Sequence, residues 1–147
     1  TAVSGTWTMP PQVIADAIVK GLKKEPDATK GHATVVAQGP ADEKTGERVP
    51  LAGVAVSVEP VAEMGPHYFC ESLSKCLFVD KGTVTTISGT TGFFNLPVGK
   101  VVATFTPPAG HECTVPFTGL SEKTNSISAM VEAERLSYFV VFCDKTK

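Results

Sequence analysis

The stretch Thr91-Gly92-Phe93-Phe94-Asn95-Leu96-Pro97-Val98-Gly99-Lys100-Val101-Val102-Ala103-Thr104-Phe105-Thr106 decides the fold. It holds two apolar runs of strand length, Phe93 to Leu96 and Val101 to Thr106, on either side of Pro97-Val98-Gly99-Lys100. Short runs rich in aromatic and β-branched residues, bounded by Gly and Pro, read as strands. Pro97 lacks an N–H and ends the first run, and Gly99 completes a tight turn. Gly89-Thr90-Thr91-Gly92 reads as the preceding turn, with glycine where φ turns positive. Pro107-Pro108-Ala109-Gly110 closes the second run.

The same grammar extends outward from this hairpin. Val54, Val56 and Val58 alternate with small residues, the mark of a half-buried strand. Ala33 to Ala37, Leu77 to Val79, Thr83 to Ser88, Cys113 to Phe117, Ser126 to Val131 and Leu136 to Cys143 are further strand segments, and Pro60 to Ser74 is irregular. Eight or so short strands with turn signals every 8–12 residues predict an antiparallel β-sandwich, of the Ig-like kind, over residues 31–147.

Residues 1–30 differ. Thr1 to Thr8 are uncharged and β-prone, an extended arm ended by Met9-Pro10-Pro11. Ile14, Ile18 and Leu22 then recur every four residues, which predicts one amphipathic helix. Pro11 suits its first turn, and Lys20, Lys23 and Lys24 suit the negative end of its dipole. Its apolar stripe must be covered, by its own sandwich or by a neighbouring chain. Val3, Trp7, Ile14, Ile18 and Leu22 are therefore candidate assembly contacts. The arm either pairs with its own sandwich or adds a strand to a neighbour's sheet.

Bulk properties bound the function. The 147 residues suffice for one domain with its own core. A formal net charge of −2, with no basic run, provides no footprint for nucleic acid. No apolar stretch reaches the roughly 20 residues of a membrane-spanning helix. No secretory leader begins at Thr1, which fits a processed terminus or a piece cut from a longer chain.

Four cysteines, Cys70, Cys76, Cys113 and Cys143, suggest a disulfide framework and an oxidising compartment, extracellular or cell-surface. Three connectivities are open to them. Local closure favours Cys70–Cys76, which leaves Cys113–Cys143 as a clasp between two late strands. Four free thiols in a reducing compartment is the competing reading.

The middle of the chain resembles carboxypeptidase regulatory-like domains. Pro50-Leu51-Ala52-Gly53-Val54-Ala55-Val56-Ser57-Val58 is similar to one of their strands, and Thr91-Gly92-Phe93-Phe94-Asn95-Leu96-Pro97-Val98-Gly99-Lys100-Val101 to their Gly-to-Leu-Pro-x-Gly signature. Such domains are transthyretin-like (prealbumin-like) sandwiches, and collagen-adhesin B-type repeats share the outline. The resemblance implies a transthyretin-like core over residues 31–106 and carries no chemistry. Thr replaces the usual Asp before Gly92, Val101 replaces the usual aromatic, and the cysteine loop and the helix are additions. Collagen-adhesin repeats often carry a Lys–Asn isopeptide, but no Lys stands at the start of the first strand with the matching spacing.

Reactive groups do not converge in the sequence. His32, His67 and His111 lack the spacing of a helical metal site. His67 with Cys70 and His111 with Cys113 form a poor zinc set beside the disulfide reading, which places the histidines in loops. There is no Gly-x-Ser-x-Gly elbow, and the acidic residues are scattered. Tyr68, Tyr138 and Trp7 are candidate stacking platforms for a sugar face, with Trp7 in the N-terminal arm and Tyr68 in the cysteine-closed loop Met64 to Cys76. No Asn-x-Ser/Thr acceptor is present.

The sequence therefore predicts a non-catalytic extracellular structural or adhesion module without cofactor or metal, self-assembling through its arm or engaging another surface protein. The alternative is a carbohydrate-binding module, or an accessory domain of a secreted enzyme. With two disulfides, the chain denatured without reductant should expose no thiol to a colorimetric reagent. Four reactive thiols would overturn the exported assignment.

Overall fold

A computed structural model of the chain describes residues 11–69, 78–79, 82–115 and 124–147. Among the described residues one helix, α1 (Pro11–Gly21), precedes nine strands: β1 (Gly31–Gln38), β2 (Ala55–Glu59), β3 (Met64–Phe69), β4 (Phe78–Val79), β5 (Thr90–Leu96), β6 (Gly99–Thr106), β7 (His111–Thr114), β8 (Ser126–Val131) and β9 (Leu136–Lys145). They form two sheets, a six-stranded one in the order β4-β3-β5-β1-β9-β7 and a three-stranded one in the order β2-β6-β8. The all-β sandwich with one N-terminal helix read from the sequence is the fold of the protein.

One pairing departs from the antiparallel expectation. β1 and β9, the first and last strands, run parallel from His32↔Leu136 to Gln38↔Phe142. Both lie inside the larger sheet, with β5 antiparallel on the far side of β1. The core fills the space between the sheets: Ala33, Val35 and Ala37 of β1, Phe93 and Leu96 of β5, Val101, Ala103 and Phe105 of β6, Ile127 and Val131 of β8, Phe139, Val141 and Cys143 of β9. Burying each Val, Leu, Ile or Phe of this set stabilises by about 1.5–3 kcal/mol. The Gly99 turn forms as read, with φ of 112°.

Three local expectations are corrected. Thr83 to Ser88 form no strand. Val84 and Ile87, the apolar residues of the segment, are exposed, and Thr85 is buried instead. The Thr85 hydroxyl donates to Leu51 O at 2.7 Å and accepts from Val54 N at 2.9 Å, so side-chain bonding displaces a strand ladder here. Second, Pro60 to Ser74 is not irregular throughout, because β3 occupies Met64–Phe69. Gly65 at φ 121° and Pro66 hid it, and the β3–β5 register does shift between Met64 and His67. Third, the turn before Phe93 is made by Gly89, at φ 63°, while Gly92 lies within β5. Gly92 is small because two rings crowd it: a Cβ there would sit 2.7 Å from the Phe69 ring and 2.9 Å from that of Phe94.

Tyr68 joins the two sheets. It is only 2% exposed, and its hydroxyl accepts the Val56 N–H at 3.1 Å. β3 in one sheet thereby caps an outward main-chain donor of β2 in the other. Gly92→Ala should cost about 1–3 kcal/mol through overpacking against Phe69 and Phe94. A urea midpoint unchanged from wild type would refute this account of the position.

Candidate functional site

The helix reaches the sandwich through a small apolar cluster and a polar latch. Val19 is fully buried against Met64 and Phe94, with Ile18, Leu22, Phe69 and Leu136 packed around them. Ile18 and Leu22 are thus packed, partly buried, against their own sandwich. Of Ile14 the structure describes only its place in α1.

The latch centres on His32 and Asn95, each 1% exposed. His32 Nδ1 accepts the Asn95 N–H at 3.1 Å, so the ring's proton belongs on Nε2, which lies 3.6 Å from Asp16 Oδ1 on α1. Asn95 takes a positive φ of 52° at the end of β5. Its Oδ1 accepts the Asp27 N–H, and its Nδ2 donates to Glu25 O and Glu63 Oε2. Lys30 closes the corner, 3.4 Å from Glu63 and 3.7 Å from Asp27. One asparagine therefore ties the helix-to-strand connection to the sheet. Bonds from the Thr29 hydroxyl and N–H hold the Asp27 carboxyl below its usual pKa, with Lys30 adding to this.

At the opposite end of β9, Cys113 and Cys143 stand directly across from each other and are bonded. This is the late-strand clasp expected from the sequence, while Cys70 and Cys76 lie outside the described residues. Beside it, Arg48 pairs with both Asp144 carboxylate oxygens at 2.7 and 3.2 Å and lies over the Phe142 ring at 4.0 Å. That contact pins the 39–49 loop to the same strand.

The fold redistributes several residues that the sequence nominated for function. Tyr68 offers no face to a sugar, since its ring is buried in the sandwich. Val3 and Trp7 lie outside the described residues. The histidines are not in loops: His32, His67 and His111 belong to β1, β3 and β7. Because the Cys113 sulfur is held in a disulfide, the two-His, two-Cys zinc set does not assemble. Among the described residues no three metal-ligating side chains converge, and no helix is long and apolar enough to cross a membrane. The latch itself was missed in the sequence. Its signal was the lone polar Asn95 inside the apolar run Phe93 to Leu96.

No protein-family model matches the chain, and no curated protein is significantly similar to it. Solved structures are similar in fold. GBS52, the minor pilin of the gram-positive pathogen Streptococcus agalactiae, superposes with a TM-score of 0.50 at 16% identity, over 81% of this chain and 46% of that one. A streptococcal ancillary pilin gives 0.46 at 17% identity, over 83% and 34%. A pilus-presented adhesin gives 0.42 at 12%, over 84% and 29%. The chain spans less than half the length of each. The likeness is one of fold, and it stands apart from the carboxypeptidase regulatory-like resemblance, which no family model supports.

The latch predicts a pH dependence. Burial pushes the His32 pKa below its usual 6.5, and Asp16 partly offsets this. The groups facing the ring are Asp16 from α1, the Asn95 N–H and Phe94 from β5. As pH falls through 6.5 the unfolded chain takes a proton that the folded chain resists. The stability is therefore complete above about pH 6.5 and is lost as pH falls below it toward the depressed folded value. His32→Gln should remove this linkage. Its urea midpoint should shift less between pH 7.5 and 5.5 than that of wild type, and an equal shift would refute the assignment.

Proposed function

We propose that this chain is a non-catalytic structural or adhesion module of the extracellular surface, which self-assembles into a fibre through its N-terminal arm. The observation that carries the reading is the anchoring of α1 on its own sandwich. The buried Val19 and the His32–Asp16 contact fix the helix, and the uncharged arm of the sequence continues directly from the start of that helix. A β-prone segment launched from a fixed point suits strand addition, in which main-chain hydrogen bonds supply affinity and side-chain pockets specificity. Val3 and Trp7 are the arm's apolar contacts in this reading, and Ile14 lies next to its root.

Three further observations support it. The Cys113–Cys143 bond suits an oxidising, extracellular setting. The fold likeness to a streptococcal minor pilin favours a place on a cell surface or in a surface fibre. The latch commits its polar groups to one another and leaves no convergent reactive set among the described residues. A transthyretin-like or collagen-adhesin-like ancestry is compatible with the sandwich and belongs to the same reading. The burial of Tyr68 weighs against the carbohydrate-binding alternative.

Sedimentation velocity and negative-stain microscopy of the full chain test this. Concentration-dependent oligomers or fibres are expected. Ser4→Pro with Thr6→Pro, which removes two arm N–H donors, should weaken self-association at least tenfold. A wild-type chain that stays monomeric across the concentration range would overturn the reading.

A further inference from the structure

We propose that the acceptor for the arm is the outer edge of β8 on a second copy of the chain, an inference that rests on the self-assembly reading above. The four sheet edges are not equally available. β2 is plugged, because its outward groups at Val54 and Val56 bond Thr85 and the Tyr68 hydroxyl, and Glu59-Pro60 ends it. β4 is two residues long. β7 is four residues long and carries the charge of Glu112. β8 is six residues, Ser126-Ile127-Ser128-Ala129-Met130-Val131, with no charge and no proline. Natural edge strands normally carry such guards to prevent pairing with another chain.

The register shows which groups β8 presents. Phe105 N donates to Asn125 O, its direct partner across the β6–β8 ladder. Hydrogen-bonded pairs alternate along an antiparallel ladder, so Ile127, Ala129 and Val131 bond to β6 while Ser128 and Met130 turn their N–H and C=O outward. Among the described residues no strand lies beyond this edge. The side chains alternate in step: Ile127 and Val131 are buried in the core, and Met130 is 65% exposed. Below β8 the larger sheet also ends early, because β7 pairs only with Phe142–Lys145 of β9. The flank beside Leu136 to Val141 thus carries two strand edges, one from each sheet, among the described residues.

The arm fits this edge in length and in pattern. Ala2 to Thr8, seven residues, are long enough to span the six of β8, and both segments are uncharged. Val3, Gly5 and Trp7 share one face of an extended arm, and Ala2, Ser4, Thr6 and Thr8 the other. In register with β8, the first set continues the Ile127-Ala129-Val131 face toward the core, and the second lies beside Ser128. A domain cannot pair this full segment with its own β8. Asp16 and Val19 both touch the outer face of the six-stranded sheet, so α1 lies along that face, two layers and about 20 Å from the three-stranded sheet. Thr8 to Pro11 is three peptide links, which reach about 11 Å. The donor is therefore a neighbour, and a head-to-tail contact of this kind propagates into a filament.

Ser128→Pro in the full chain tests the edge. It removes one outward N–H without touching the β6 ladder, a position where proline is tolerated. Self-association at least tenfold weaker, with wild-type circular dichroism, is the expected result. Assembly as strong as wild type would overturn β8 as acceptor and leave the self-assembly reading standing. A monomeric wild type would overturn both. If Ser128→Pro misfolds, Ser4→Cys with Ser128→Cys decides the matter. Disulfide-linked ladders between copies are expected, and a bond formed only within one chain, or none in assembled protein, would overturn the inference.

Discussion

The burial of β1 on both faces is the constraint from which the rest of the molecule follows. β1 sits inside the six-stranded sheet, paired with β5 on one side and β9 on the other. Its inner face, Ala33, Val35 and Ala37, meets the core, and small side chains there let the second sheet approach. Its outer face starts with His32, which α1 covers. A buried imidazole must find partners for both nitrogens, and it finds the Asn95 N–H and Asp16. The position of the helix, the conformation of Asn95 and the path of residues 22–30 are all set by satisfying that one strand.

The two ends of β9 then divide the remaining work. Near Leu136 the strand supports the helix cluster. Near Cys143 it is clasped covalently to β7 and pinned by Arg48 to the 39–49 loop. The parallel β1–β9 pairing thereby brings the first and last described strands side by side in one sheet. Where β8 begins, Asn125 is tied to the main chain of Cys113 in β7, its Oδ1 accepting from the Cys113 N–H and its own N–H donating to Cys113 O. Tyr68 and Thr85 close the β2 edge from the other sheet and its neighbouring loop, and nothing equivalent reaches Ser128 and Met130 among the described residues.

The strands legible in the sequence were those whose alternation coincides with one buried face, such as Val54 to Val58 and Val101 to Thr106. The segments misread were those where another force outweighs periodicity. Thr83 to Ser88 are rich in β-branched residues, yet the Thr85 hydroxyl satisfies main-chain groups at the β2 edge and holds the segment out of a ladder. Met64 to Phe69 contain Gly and Pro, yet pair with β5 across a register shift. Tyr68 read as a surface aromatic because no local pattern records that its hydroxyl crosses the core to Val56.

By itself the sequence determined the fold class, the single helix, the late-strand clasp and the Gly99 turn, because each depends on residues close in the chain or on a periodicity that any sheet imposes. Only the tertiary structure decided that the first and last described strands pair in parallel, that Asn95 latches the helix connection and that β8 lies at an edge of its sheet among the described residues. Those features depend on which strands become neighbours, and strand order is set by packing between residues as distant as His32 and Leu136, which no local pattern encodes.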